Sequence, residues 1–246
     1  MLEETRCGGS QVGSTERLTS IDLVAFDMAG TLIQDRGEVV HAFLTSFAQN
    51  GIAVSAGDIQ PWRGAAKREV FRHFVRRQFG DSDEANQIRM EAAYHDFHVI
   101  LRERYTADGV AVVPGAEAAF SWLRSNGVRV ALMTGFDREI ADILVDAVGW
   151  KDQVDAVVTS DDVALGRPAP YLIFHAMEAT GVQDVRRVAV VGDTANDLLA
   201  GARAGVAGVI GVLTGSQGIG RLGVEGRTHI IASVADLPTL LASAFP

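Results

Sequence analysis

Apolar and polar positions change rhythm twice along this chain of 246 residues. A polar opening stretch, residues 1–19, gives way to Asp22-Leu23-Val24-Ala25-Phe26, which ends on Asp27. That short apolar run predicts a buried strand. From about Glu38 to Tyr105 apolar residues recur at helical spacing: Val39, Val40, Phe43, Leu44 and Phe47, then Val70, Phe71, Phe74 and Val75, then Tyr94, Phe97, Ile100 and Leu101. The pattern predicts a bundle of helices, with a turn at Gly51 and loops near residues 57–64 and 80–82.

Beyond Pro114 strands and helices alternate. Helices are expected over Ala116–Ser125, Arg138–Val148, Pro170–Thr180, Asp197–Ala204 and Val234–Ala244. Strands are expected over Val128–Met133, Val154–Val158, Val188–Val191 and Val209–Leu213, with an edge strand at Thr228–Ile231. Such alternation implies a parallel sheet flanked by helices. The expected fold is therefore α/β: a Rossmann-like core, residues 20–36 and 113–246, interrupted by an all-helical cap, residues 37–112. Residues 1–19 are expected to form a flexible tail. Gly37 and the stretch Asp108–Pro114 are the expected hinges.

Composition narrows the possible partners. Hydrophobic residues make up 48% of the chain, enough for a sizeable core, and the 26 glycines suit tight strand-to-helix loops. The formal charge of −9 disfavours nucleic acid or an anionic membrane as a partner. A small phosphate remains possible if local cations or a metal collect around it. The lone cysteine, Cys7, permits no intramolecular disulfide, and Glu3 and Glu4 are unlike a signal peptide. The expectation is a cytoplasmic monomer or homodimer acting on a small molecule.

Open parallel sheets bind ligands beyond the carboxyl ends of their strands. The first strand ends in Asp27-Met28-Ala29-Gly30-Thr31, an exposed carboxylate followed by a tight turn. The second is followed by Thr134-Gly135, a hydroxyl and backbone amides suited to a phosphate oxygen. After the third comes Gly166-Arg167-Pro168-Ala169-Pro170, with a cation for a phosphoryl group. The fourth leads into Gly192-Asp193-Thr194-Ala195-Asn196-Asp197, whose carboxylates suit Mg²⁺. Each feature alone also suits an ordinary cap or turn. Together, in this order, they supply the parts for phosphoryl transfer through an aspartyl-phosphate.

Asp27–Thr31, Thr134, Arg167 and Gly192–Asp197 resemble the four ordered motifs of haloacid dehalogenase-like hydrolases. The likeness spans essentially residues 21–215. It implies Asp27 as nucleophile. It implies Mg²⁺ held by Asp27, the Ala29 backbone carbonyl and Asp193, with Asp197 supporting the site from behind. Gly30, Thr134, Gly135 and Arg167 would bind the phosphoryl group. The family's usual acid two places after the nucleophile is Ala29 here, and its usual lysine is Arg167.

Both departures are similar to the phosphonoacetaldehyde hydrolase (phosphonatase) branch. There a cap lysine forms a Schiff base with the substrate aldehyde. Lys67, in Pro61-Trp62-Arg63-Gly64-Ala65-Ala66-Lys67, takes that place, with Arg63 as a further anion-binding candidate. Arg63 stands where that branch has Met, and Val70 where it has His. The resemblance implies a phosphonatase-like hydrolase of a small phosphonate or phosphate. A phosphate-monoester phosphatase, a 2-haloacid dehalogenase and a non-catalytic phosphate-binding regulator stand as alternatives.

Overall fold

A computed structural model describes residues 18–81, 83–215, 217–222 and 229–246. Residues 1–17 of the expected tail, and Thr228 of the expected edge strand, lie outside the described residues.

Strand β1 (Leu23–Asp27) is buried along its whole length. It pairs in parallel with β2 (Arg129–Met133) on one side and β4 (Val188–Gly192) on the other. With β3 (Ala156–Val158), β5 (Gly208–Val212) and β6 (His229–Ile231), they form a six-stranded parallel sheet in the order β3-β2-β1-β4-β5-β6. The connection direction reverses between β1 and β4, and such a reversal opens a crevice at the strands' carboxyl ends.

Alternation along β1 separates two apolar layers. Leu23 and Ala25 join Leu172, Ile173 and Ala176 of α7 (Tyr171–Thr180) and Leu198 of α8 (Ala195–Ala204). Val24 and Phe26 face the other way, where Phe26 meets Phe120 of α5 (Ala116–Ser125) edge-on at 5.7 Å. That layer also holds Ile140 and Leu144 of α6 (Arg138–Val148) and Leu237 and Leu241 of the final helix (Leu237–Ala244).

The segment between β1 and β2 forms the helices α1 (Glu38–Gln49), α2 (Ala56–Ile59), α3 (Lys67–Phe79) and α4 (Glu84–Ala107). Their apolar stripes meet in an aromatic cluster. Phe43 lies 4.6 Å from Phe97, and Phe47 lies 4.6 Å from Phe71. The helical insertion into the parallel-sheet core matches the architecture expected from sequence.

Several element ends differ from expectation. The third strand starts at Ala156 rather than Val154, because Asp155 turns its carboxylate onto the Val130 amide at 2.8 Å. Residues 57–64 hold α2 and a 3₁₀ turn at Gln60–Trp62 rather than an open loop, since Ser55 and Asp58 form a capping box. The eighth helix starts at Ala195, capped by Thr194, two residues before Asp197.

Candidate active site

Asp27 closes β1 at the crevice, opposite Met133 of β2, and the pairing of Phe26 with Val191 of β4 sets Asp193 just beyond the neighbouring strand end. The turn after Asp27 is held by the Gly30 amide donating to Ile33 at 2.7 Å and by the Thr214 hydroxyl donating to the Gly30 carbonyl at 2.7 Å. Gly30 has φ 97°, in the left-handed region, and a Cβ there would come within 2.5 Å of the Asp193 carboxylate. Only glycine lets this loop pass so close to a second buried carboxylate.

Asp27, Asp193 and Asp197 each place a carboxylate oxygen within 4.8 Å of the others, and all three are buried. Thr31 Oγ1 lies between Asp27 and Asp193, 3.5 and 3.4 Å from their oxygens. Asp197 is fully engaged. It accepts from the Thr194 amide and hydroxyl at 3.0 and 2.6 Å on one oxygen and from Arg167 on the other. Asp193 Oδ2 has no protein partner although it is buried. Burial and the nearby Asp27 carboxylate push Asp193 up to about 7. A crowded, under-partnered set of hard oxygen donors fits a divalent cation such as Mg²⁺.

Arg167 supplies the opposite charge. It is 2% exposed, and Nη1 donates to Asp27 Oδ1 at 2.7 Å and to Asp197. Its Nε and Nη2 are buried without partners, two donors left for an anion. Thr134 is buried beside β3, its amide donating to Val158 at 2.9 Å and its hydroxyl accepting from the Phe136 amide at 3.1 Å.

The helical insertion closes over these groups through the loop that leads into α3. Lys67 N–H donates to the Gly135 carbonyl at 3.1 Å. The Gly166 amide donates to Glu69 at 3.2 Å, and the Asn196 side chain donates to the Arg63 carbonyl at 2.7 Å. Close contact demands small residues: a Cβ on Gly135 would lie 2.4 Å from the Ala65 carbonyl oxygen, and one on Gly64 would lie 2.5 Å from Thr194 Oγ1. A second tether lies further out. Asp137, which caps α6, takes the Tyr94 hydroxyl and lies against His98, both from α4.

Between the loop and the core lies a cavity of about 40 Å³ lined by Asp27, Ala29, Arg63, Lys67, Thr134, Gly135, Arg167 and Asp193, among others. Thus the motif residues anticipated from sequence share one pocket with both cap candidates. Gly30 packs directly behind it against Asp193, and Asp197 supports it through Arg167. Lys67 is 7% exposed. Among the described residues its ammonium has one hydrogen bond, to the Ala65 carbonyl at 3.1 Å, and sits 4.7 Å from the Phe136 ring centre. Burial first, then the Arg167 charge, lowers its pKa to about 8 against the pull of Asp27. Arg63, the further anion-binding candidate, lines the cavity and pairs with Asp35.

Sequence reasoning missed Asp35, Thr31 and Phe136. Asp35 lies between the first motif and the expected hinge at Gly37, where no pattern singles it out. Thr31 and Phe136 lie within or beside the motifs, but only their side-chain directions show that they matter.

The model of haloacid dehalogenase-like hydrolases matches residues 21–205. The chain belongs to this hydrolase family. It is 28% identical to a phosphonoacetaldehyde hydrolase of Bacillus cytotoxicus over 213 residues, covering 81% of this chain and 78% of that one. Its fold is similar to a hydrolase from Pseudomonas syringae, with a TM-score of 0.80 at 22% identity, covering 92% of this chain and 100% of the other. It is also similar to a phosphonoacetaldehyde hydrolase-like protein from Oleispira antarctica, with a TM-score of 0.73 at 22% identity, covering 95% and 99%. None of the described helices is long and apolar enough to cross a membrane.

Proposed function

We propose that the protein is a Mg²⁺-dependent, phosphonatase-like hydrolase of a small phosphonate or phosphate, with Asp27 as nucleophile. The observation that carries this reading is the buried set of Asp27, Asp193, Asp197 and Arg167 with three unpartnered polar atoms: Asp193 Oδ2, Arg167 Nε and Arg167 Nη2. Asp27, the Ala29 backbone carbonyl and Asp193 would hold Mg²⁺. When bound, the ion would neutralise charge on the transferring group. Asp197 holds Arg167 in place. Arg167, Thr134 and the Gly135 amide hold the phosphoryl oxygens, while the Gly30 amide, already taken by the Ile33 carbonyl, shapes the loop behind them. Asp27 then attacks phosphorus in line, its bond to carbon or oxygen breaks, and water later hydrolyses the aspartyl-phosphate.

Ala29 offers no proton to a leaving group. Lys67 is the group placed to compensate, because a neutral buried amine condenses with an aldehyde and turns the carbon leaving group into an enamine. Arg63 faces the organic end of the substrate. The helices over residues 37–112 act as a cap that opens at Gly37 and residues 108–114 to admit substrate, since the space of about 40 Å³ between cap and core is small. Proximity to phosphonoacetaldehyde hydrolases favours the carbon–phosphorus bond over an ester, and a carboxylate cluster suited to Mg²⁺ disfavours a metal-free dehalogenase.

Incubation with phosphonoacetaldehyde and Mg²⁺ tests the reading. It predicts phosphate release and, on borohydride reduction, a covalent adduct on Lys67. Phosphate release from esters without any lysine adduct would move the protein to the phosphatases.

A further inference from the structure

The cavity takes its lining from two parts of the chain, the sheet side and the cap side. On the sheet side stand the carboxylates, Arg167 and the unpartnered atoms. From the cap side Val39, Val40, Phe43, Ile59 and Trp62 present apolar surface. The charged lining groups contributed by the cap and the segment leading into it are Lys67, Arg63 and Asp35.

Arg63 and Asp35 are both largely withdrawn from water, their side chains 11% and 3% exposed. Arg63 Nη2 donates to Asp35 Oδ2, while Asp35 Oδ1 accepts from the Gly37 amide at 2.9 Å. The Asn196 side chain fixes the Arg63 backbone from the core. Asp35 is therefore held on both oxygens, and Arg63 is held at both its backbone and its head. A ligand carrying a second fixed anion would have to share Arg63 with a carboxylate already seated there. It would meet the repulsion of Asp35 on the way. A ligand with an uncharged tail would meet apolar walls and one amine.

We propose that Asp35, by neutralising Arg63 inside the cavity, determines specificity: it restricts substrates to phosphorus compounds whose organic end is small and carries no second fixed charge. This rests on the sheet side of the cavity binding the phosphoryl group, as proposed above. Asp35 is a positioning and screening group and touches no reacting atom.

Two unreactive ligands of nearly equal shape separate charge from size. Ethylphosphonate ends in a methyl group where phosphonoacetate ends in a carboxylate. Calorimetric affinities for both, on the full chain with Mg²⁺, give a selectivity ratio for each variant. The wild type should bind ethylphosphonate at least as well as phosphonoacetate. Asp35→Asn keeps a side-chain oxygen for the Gly37 amide and frees Arg63, so the ratio should move about tenfold or more towards phosphonoacetate. Arg63→Met in that background should cancel the gain. Arg63→Met alone leaves Asp35 unopposed and should move the ratio the other way, which keeps the test open if the Asp35 variant folds poorly.

A clamp with a purely mechanical role would weaken both ligands together and leave the ratio where it was, and that result would overturn the proposal. So would a wild type that prefers phosphonoacetate. If no variant binds either ligand, the phosphoryl site itself is refuted along with this inference. Binding with an unchanged ratio refutes the inference alone.

Discussion

Lys67 shows most sharply what one residue costs and supplies. Its ammonium is buried with a single hydrogen bond, and its pKa falls from 10.5 to about 8. Between those values the unfolded chain holds a proton that the folded chain does not. The penalty for burying this group is therefore complete below about 8 and is lifted as pH rises towards 10.5. Lys67→Met removes the charge at similar volume. It should raise the melting temperature at neutral pH, by roughly 2 °C per kcal/mol recovered, and abolish phosphonoacetaldehyde cleavage. Calorimetric melting between neutral and alkaline pH checks the first point, because the gain should shrink as pH rises. The same titration makes wild-type kcat/KM for an aldehyde substrate rise through about pH 8, where the amine becomes neutral. A flat profile there would remove Lys67 from the chemistry.

Elements set how closely the cap can approach the core. The loop entering α3 rests on Gly135 with no room for another atom: a Cβ would lie 2.4 Å from the Ala65 oxygen. Gly135→Ala should therefore hold the loop away from Asp27, raising KM and lowering kcat, with a stability cost of about 1–3 kcal/mol. Gly57→Ala makes a matched control, since its nearest neighbour would be Ser55 Oγ at 3.7 Å and its backbone is helical. Steady-state kinetics and melting of the two variants check the contrast.

Legibility from sequence follows the same division. The strand ends, the phosphate-side residues and the helical insertion are readable because each rests on a local pattern of apolar runs, Gly, and strand-end carboxylates. The Arg63–Asp35 pair and the Asp137 tether to Tyr94 and His98 are not. Their partners are 28 residues or more apart and meet only after the cap docks. The starts of β3 and α8 shifted because side-chain oxygens of Asp155 and Thr194 captured backbone amides, a competition that periodicity does not register.

For the whole molecule, one buried acidic cluster joins the sheet, a core helix and the chemistry. Asp27 comes from β1, Asp193 follows β4, and Asp197 of α8 braces the site through Arg167, so an ion held by Asp27 and Asp193 would tie two neighbouring strand ends together. Mg²⁺ should stabilise the fold by about 2.7 kcal/mol at a hundredfold excess over Kd. EDTA or Asp193→Asn should erase that shift along with turnover. A melting temperature indifferent to Mg²⁺ in the wild type would remove the metal from the account.

The nucleophile is the claim on which the rest depends. Acid quenching during turnover of a phosphonate substrate, followed by peptide mass spectrometry, tests it most directly. The account predicts a phosphoryl group on Asp27, with neither adduct nor phosphate release in a folded Asp27→Asn variant. Continued phosphate release by that variant, or a phosphoryl group on another residue, would contradict it.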